Sequence, residues 1–310
     1  MDNLCHTLAG LALAEAGIVP ARRRTRWMAA LAANAPDADV VAAIGGYGLA
    51  SLDFRRGITH GVLAMAFWPL LISALTWAVT RRARAAELAR GEPAERFAPL
   101  LALAAVAVWS HSFLDWLNTY GVRLLAPFDW RWFHGDAVFI VDPWLWTLFA
   151  IAVIAARRWR GVGAARVTLA VAAAYIAAMI GLTQYSAARV SREAASAGRA
   201  VARQVMAAPR PALPLPRDVV RDLEGSYELG RFSPLSRPPY VPTRTVARNA
   251  DLPAARAAAA TRDGATFLRW SRFPVFEPLD GGRVRIYDLR YAPPDGGGRS
   301  WASVEVQLPR

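Results

Sequence analysis

What most constrains this chain is a series of apolar runs about twenty residues long. Residues 61–80, 137–156 and 167–188 are each long enough to cross a bilayer, which takes about 20 apolar residues. The middle run is interrupted by Asp142, and a fourth run, 97–117, qualifies if His111 and Asp115 are tolerated inside it. The fold class this implies is mainly α: a polytopic membrane helix bundle of four spans. Ahead of the spans lie two short helical stretches, around 4–16 and 26–35; the second ends at "NAPDAD" because the residue before Pro36 is driven out of helical geometry. Both are too short or too polar to span, and are expected to pack on the bundle at one membrane face.

The charge pattern supports a membrane rather than a nucleic acid. The chain carries a net charge of +13, and every basic residue is Arg. The arginines sit in short clusters ("RRRTR", "RRAR", "RRWR") at the edges of apolar runs, as membrane anchors do, with none of the aromatic or glycine-rich modules of nucleic-acid binders. No nucleic-acid partner is expected. A single cysteine, Cys5, rules out an intrachain disulfide. "MDNLCHTLAG" has no basic segment and contains a histidine, so it is not read as a cleaved signal.

After the last run the chain is expected to continue helical and charged through about residue 208. The proline-rich 209–218 ("PRPALPLPRD") reads as a linker. Residues 219–310 alternate in the manner of strands, with "LDGG" and "PDGGG" as turns, which predicts a small soluble β-rich domain. The domain reading is therefore 1–208, a linker, and 219–310.

All four histidines, His6, His60, His111 and His134, lie in the first 135 residues. Following the chain through its spans brings them to one membrane face, along with Asp37, Asp39, Asp115, Asp136 and Asp142. The opposite loops, 81–96 and 157–166, hold nine Arg and three Glu and neither His nor Asp. An Asp at the centre of a membrane helix costs about 2.5–3.5 kcal/mol. A divalent cation shared by imidazoles and carboxylates offsets such a cost. His111 and Asp115, four apart, share one helix face and form an N,O pair, while Asp37-x-Asp39 offers two carboxylates from a turn. Asn34 and Asn118 are candidate supporting partners. Asp142 before Pro143 reads equally well as a helix cap or a catalytic group. His111 with Asp115 can also be a buried hydrogen-bonded pair holding no metal.

The ordered motifs "HTLAG", "PDAD", "RRGITHG", "HSFLDWLNTYG" and "GDAVFIVDPWLW" resemble the YdjM/YbcI-type family of inner-membrane metal-dependent hydrolases over roughly residues 1–190. That family is distantly similar to the zinc phospholipase C and P1 nuclease group. The resemblance implies zinc ligands in the chain order Asp39, His60, His111 and Asp115, with His6 beside them. It also departs: no His follows residue 134, so the second His-x-x-x-Glu pair of those enzymes is missing, and one or two metals are expected rather than three.

These readings combine into a membrane-bound metal-dependent hydrolase, with zinc the expected ion and a phosphoester or phospholipid-like amphiphile the expected substrate. The metal set is His6, Asp37, Asp39, His60, His111 and Asp115; Asp37 or Asp136 would orient the water or act as general base. The rival is a non-enzymatic membrane protein with a structural polar cluster and a C-terminal domain that binds a protein partner. The arginine-rich loops place themselves in the cytoplasm by the positive-inside rule, with the metal group and the C-terminal domain outside the inner membrane. The six Arg of 22–56 count against that orientation.

Overall fold

The computed structural model describes residues 1–45, 49–159, 161–292 and 300–308, the side chains of 42–45, 50 and 51 excepted. The chain forms two compact units: Met1–Asp39 with Arg56–Gly181, and Val40–Arg55 with Leu182–Arg310.

The first unit is helical. It contains α1 (Asn3–Glu15) and α2 (Arg23–Asn34); after α3 (Leu49–Phe54), which belongs to the other unit, come α4 (Val62–Val79), α5 (Arg81–Ala89), α6 (Phe97–Trp116), α7 (Pro143–Trp159) and the first part of α8 (Val162–Ser196). Among the described residues, three helices are long and apolar enough to cross a membrane: α4, α6 and α8. The stretch expected as a further span, 137–156, is helical only from Pro143, because Asp142 caps α7: its Oδ1 accepts from the backbone of Trp144 (3.0 Å) and Leu145 (2.9 Å). With 17 residues α7 is about 26 Å long, short of the ~30 Å hydrocarbon core.

The two N-terminal helices form where expected but do not lie at one face. Asp2 accepts from the Trp146 indole (3.0 Å) at the start of α7, and Glu15 accepts from Arg157 (3.2 Å) at its end, so α1 runs alongside α7 from one end to the other. Arg24 pairs with Glu95 just before α6, while the Ala33 carbonyl meets His111 (2.7 Å) near its end, so α2 runs alongside α6. Small residues allow this. A Cβ on Gly10 would meet the Ala29 carbonyl oxygen at 2.5 Å and the Ala33 Cβ at 2.8 Å. The facing Ala9, Ala12, Ala29, Ala32 and Ala33 are buried, the small-residue packing by which helices approach closely in membranes. Met28, Ile72, Leu100 and Leu103 complete this core.

In the second unit, a four-stranded antiparallel sheet runs β1 (Gln204–Arg210), β2 (Leu213–Leu223), β3 (Ser226–Phe232), β4 (Tyr240–Ala247) in order. Helices α9 (Pro253–Ala260) and α10 (Arg262–Trp270) follow, then a three-stranded antiparallel sheet of β5 (Pro274–Leu279), β6 (Arg283–Asp288) and β7 (Ser303–Gln307). Alternation buries both faces of the first sheet. Met206, Ala208 and Val220 pack with Phe273 and Val275; Ala207, Val219 and Phe232 pack with Val190 of α8.

Two expectations are corrected here. The helix stops at Ser196, and 204–208 is strand. Residues 209–218 are no linker but the turn and flanks of the β1–β2 hairpin, with Pro209 opposite Arg217 and Arg210 opposite Leu213. The unit thus begins before residue 209 and takes in 40–55 as well. The "LDGG" turn joins β5 to β6, with Gly281 and Gly282 at positive φ, whereas "PDGGG" lies outside the described residues.

Candidate metal centre

Four side chains from three separate segments converge: Asp37 from the 3-10 stretch that follows α2, His60 from the turn before α4, and His111 with Asp115 from the last turns of α6. One ligand atom from each lies within 4.8 Å of every other. His60 Nε2 is 3.1 Å from His111 Nε2 and 3.3 Å from Asp115 Oδ2; His111 Nε2 is 3.6 Å from Asp115 Oδ2. Asp37 Oδ1 stands slightly farther out, 3.7 Å from His60 and 3.8 Å from His111. The other three side chains are inaccessible to solvent, and Asp37 keeps 11% exposure.

The outer ring nitrogens decide what fills the middle. His111 Nδ1 faces the Ala33 carbonyl at 2.7 Å, which can only accept, so that nitrogen carries the proton and Nε2 presents a lone pair. His60 Nδ1 faces the Thr59 hydroxyl (3.0 Å), which lies 3.4 Å from Asp39 Oδ2; a chain of donation from His60 through Thr59 to Asp39 gives His60 the same tautomer. Burial, opposed by the Asp115 carboxylate, lowers the His60 pKa to about 4, which keeps the ring neutral. In these tautomers the Nε2 atoms of both imidazoles face the carboxylate oxygens of Asp37 and Asp115. Tetrahedral zinc with bonds of about 2.0–2.2 Å sets its ligand atoms roughly 3.3–3.6 Å apart. Five of the six separations, 3.1–3.8 Å, lie near that spacing and all six fall within 4.8 Å; two nitrogens with two oxygens suit a borderline divalent ion.

The other oxygen of Asp115 is neutralised from outside. Oδ1 accepts from Arg56 Nη2 (2.9 Å) and pairs with the Met1 α-amino group. Arg56 also donates to Asn118 Oδ1 (3.2 Å) and the Gly121 carbonyl (3.1 Å). His6 stacks on His111, ring centroids 3.7 Å apart, with Nε2 3.3 Å from Asp115 Oδ1. Asn3 reaches both Asp37 Oδ2 (3.3 Å) and Asn34.

Of the six expected ligands the structure gathers Asp37, His60, His111 and Asp115. His6 and Asp39 stand against the group, His6 on the Oδ1 side of Asp115 and Asp39 behind His60. Asp39 instead accepts the Arg56 backbone N–H at 2.7 Å. Asp136, at φ 51° on the loop after α6, is buried outside the four-residue group, and His134 lies against Gly121. Asp142 is a cap and accepts from the Tyr175 hydroxyl (3.0 Å). Asn34 and Asn118 do support the group, through Asn3 and Arg56. Arg56 itself is not legible in the sequence. It sits in the "RRGITHG" motif, but an Arg beside an apolar run reads as an edge anchor.

A helical membrane unit with a buried His/Asp group, joined to a β-rich unit, is the class of protein these features define. The chain belongs to the YdjM inner membrane protein family, whose model matches residues 1–187. It is also similar to YfhP of Bacillus subtilis (strain 168), 28% identical over 163 residues, which is 49% of this chain and 46% of that protein. The chain thus spans about half the length of the curated relative it matches. No solved structure matches.

Proposed function

We propose that this protein is a membrane-bound metal-dependent hydrolase acting on an amphiphilic phosphoester. The observation that carries the reading is the convergence of four possible ligand atoms, two imidazole nitrogens and two carboxylate oxygens, on four buried side chains. A divalent ion held there, zinc by preference, supplies an acidified water and a polarising charge. The chain's own residues would do the rest. His60, His111 and Asp115 hold the ion, Arg56 fixes Asp115, and Thr59 with Asp39 fixes the His60 ring. Asp37, the outermost and most exposed of the four, is the residue suited to orient water or take its proton. The group's position at the end of the spans favours a substrate presented from the bilayer, a phospholipid or similar ester. His6 would serve a second ion.

The rival reading has its own observation. Four protein ligands are enough to fill the four positions of a structural zinc ion, and would then leave no place for water unless Asp37 swings out. Purified protein should contain about one equivalent of zinc or a similar ion, lost in His111→Ala/Asp115→Ala. Phosphodiester or phospholipid turnover should vanish with it and should fall at least a hundredfold in Asp37→Ala with metal retained. Retained metal and no turnover of any such ester by the wild type would establish the structural role instead.

The same unit bears on the orientation we propose. Arg22, Arg24 and Arg26 pair with Glu87, Glu95 and Glu15, which puts them at the end of the helices where loops 81–96 and 157–166 lie. They therefore add to the positive end rather than opposing it, which supports a cytoplasmic location for those loops and an extracytoplasmic metal group and C-terminal unit.

A further inference from the structure

The segment between the ligand-bearing turns belongs to the other unit. Asp39 and Arg56, 17 residues apart, close the base of a loop through the Arg56 N–H···Asp39 bond. Both ends of that base act on the metal group: Asp39 behind His60, Arg56 on Asp115. The loop itself, Val40–Arg55, is counted with the C-terminal unit. There α3 packs on α10, and Asp53 is gripped by Arg269, whose Nε and Nη2 lie 3.0 and 2.7 Å from Oδ1. The buried Thr266, one turn earlier, steadies the Arg269 guanidinium (3.0 Å) and reaches Asp53 Oδ2 at 3.5 Å.

We propose that Asp53 and Arg269 are positioning residues, through which the C-terminal unit clamps the loop that sets Arg56 and His60 in the metal group. The clamp lies wholly inside the second unit, and the covalent chain alone carries its effect three residues on to Arg56. The β-rich unit thereby fixes the geometry of a site to which it lends no ligand. The inference rests on the proposed function only for its consequence, a looser metal group when the clamp opens.

Hydrogen exchange of the full-length protein in nanodiscs tests it. Arg269→Glu is a change on an exposed helix face. An exposed pair of this kind is worth up to about a fivefold change in a local opening equilibrium. The amides of 56–61 should therefore exchange about two- to fivefold faster, while those of β1 and β2 keep their rates. Asp53→Arg combined with Arg269→Glu should restore protection at 56–61. Unchanged exchange at 56–61 in Arg269→Glu, an equal rise in β1 and β2, or failure of the charge swap to restore protection would each overturn the clamp. A parallel Co2+ titration separates the two claims. A wild type that takes no Co2+ removes the proposed function, and the exchange rates still judge the clamp.

Discussion

Asp37 and Asp115 face the same pair of imidazoles but differ in what stands behind them. Asp115 has the Arg56 guanidinium and the Met1 amino group at its back; among the described residues, Asp37 has the Asn3 amide. Without a cation, Asp37 Oδ1 therefore meets two lone pairs and gains nothing from them. Asp37→Asn can turn its amide N–H toward those nitrogens. Metal-free Asp37→Asn should unfold with about 1 kcal/mol more stability than metal-free wild type, from one new buried hydrogen bond, and should keep most of the metal-induced gain in Tm, since the other three ligands remain. Thermal unfolding in detergent, with and without zinc, reads both effects. A second residue-scale prediction concerns Asp288. Burial pushes its carboxyl up, but the Arg290 guanidinium (2.9 Å) and the hydrogen bonds from Arg272 N (2.6 Å) and Ser271 (2.7 Å) outweigh it and leave the pKa lowered. A lowered folded value means that the contribution is complete above the unfolded value of about 3.9 and is lost as pH falls through the folded one. Protection of β6 amides should hold from pH 7 to about 4 and decline below it. In Asp288→Asn it should start lower and lose that decline.

Among the elements, the α1–α2 pair depends most on one missing atom. Gly10→Ala places a methyl against the Ala29 carbonyl, where neither backbone can yield, and should cost about 1–3 kcal/mol of thermal stability. An unchanged Tm would mean the two helices stand farther apart than described. The elements also show what the sequence could and could not disclose. The His111/Asp115 pair was legible because i,i+4 spacing puts two side chains on one face of any helix. The depth of α1 and α2 was not, since short alanine-rich helices carry no length signal, and only their contacts with α6 and α7 show that they cross the bundle. The β1–β2 hairpin was hidden by its prolines. Pro209 lies on β1, an edge strand, and Pro214 and Pro216 precede Arg217, where pairing with β3 begins. None of these positions needs a ladder N–H, so prolines that signal a linker are tolerated in strands. The capture of Asp37 rather than Asp39 was also beyond reading, because the two differ only in how the 3-10 stretch turns them.

For the molecule as a whole, the proposed orientation can be checked with thiol chemistry, since the native Cys5 is buried. A cysteine at Asp129 should react with a membrane-impermeant maleimide in intact cells, and one at Arg90 only after lysis. The reverse pattern would invert the protein in the membrane. Family likeness and architecture also part company at a definite place. The family match stops at residue 187, yet α8 runs unbroken to Ser196, and Val190 covers one face of the β1–β2–β3–β4 sheet. A protein trimmed at that border would leave Val190 with its sheet but on a helical stub, 188–196, too short to hold its shape alone. The unit of inheritance suggested by likeness is shorter than the unit that must fold.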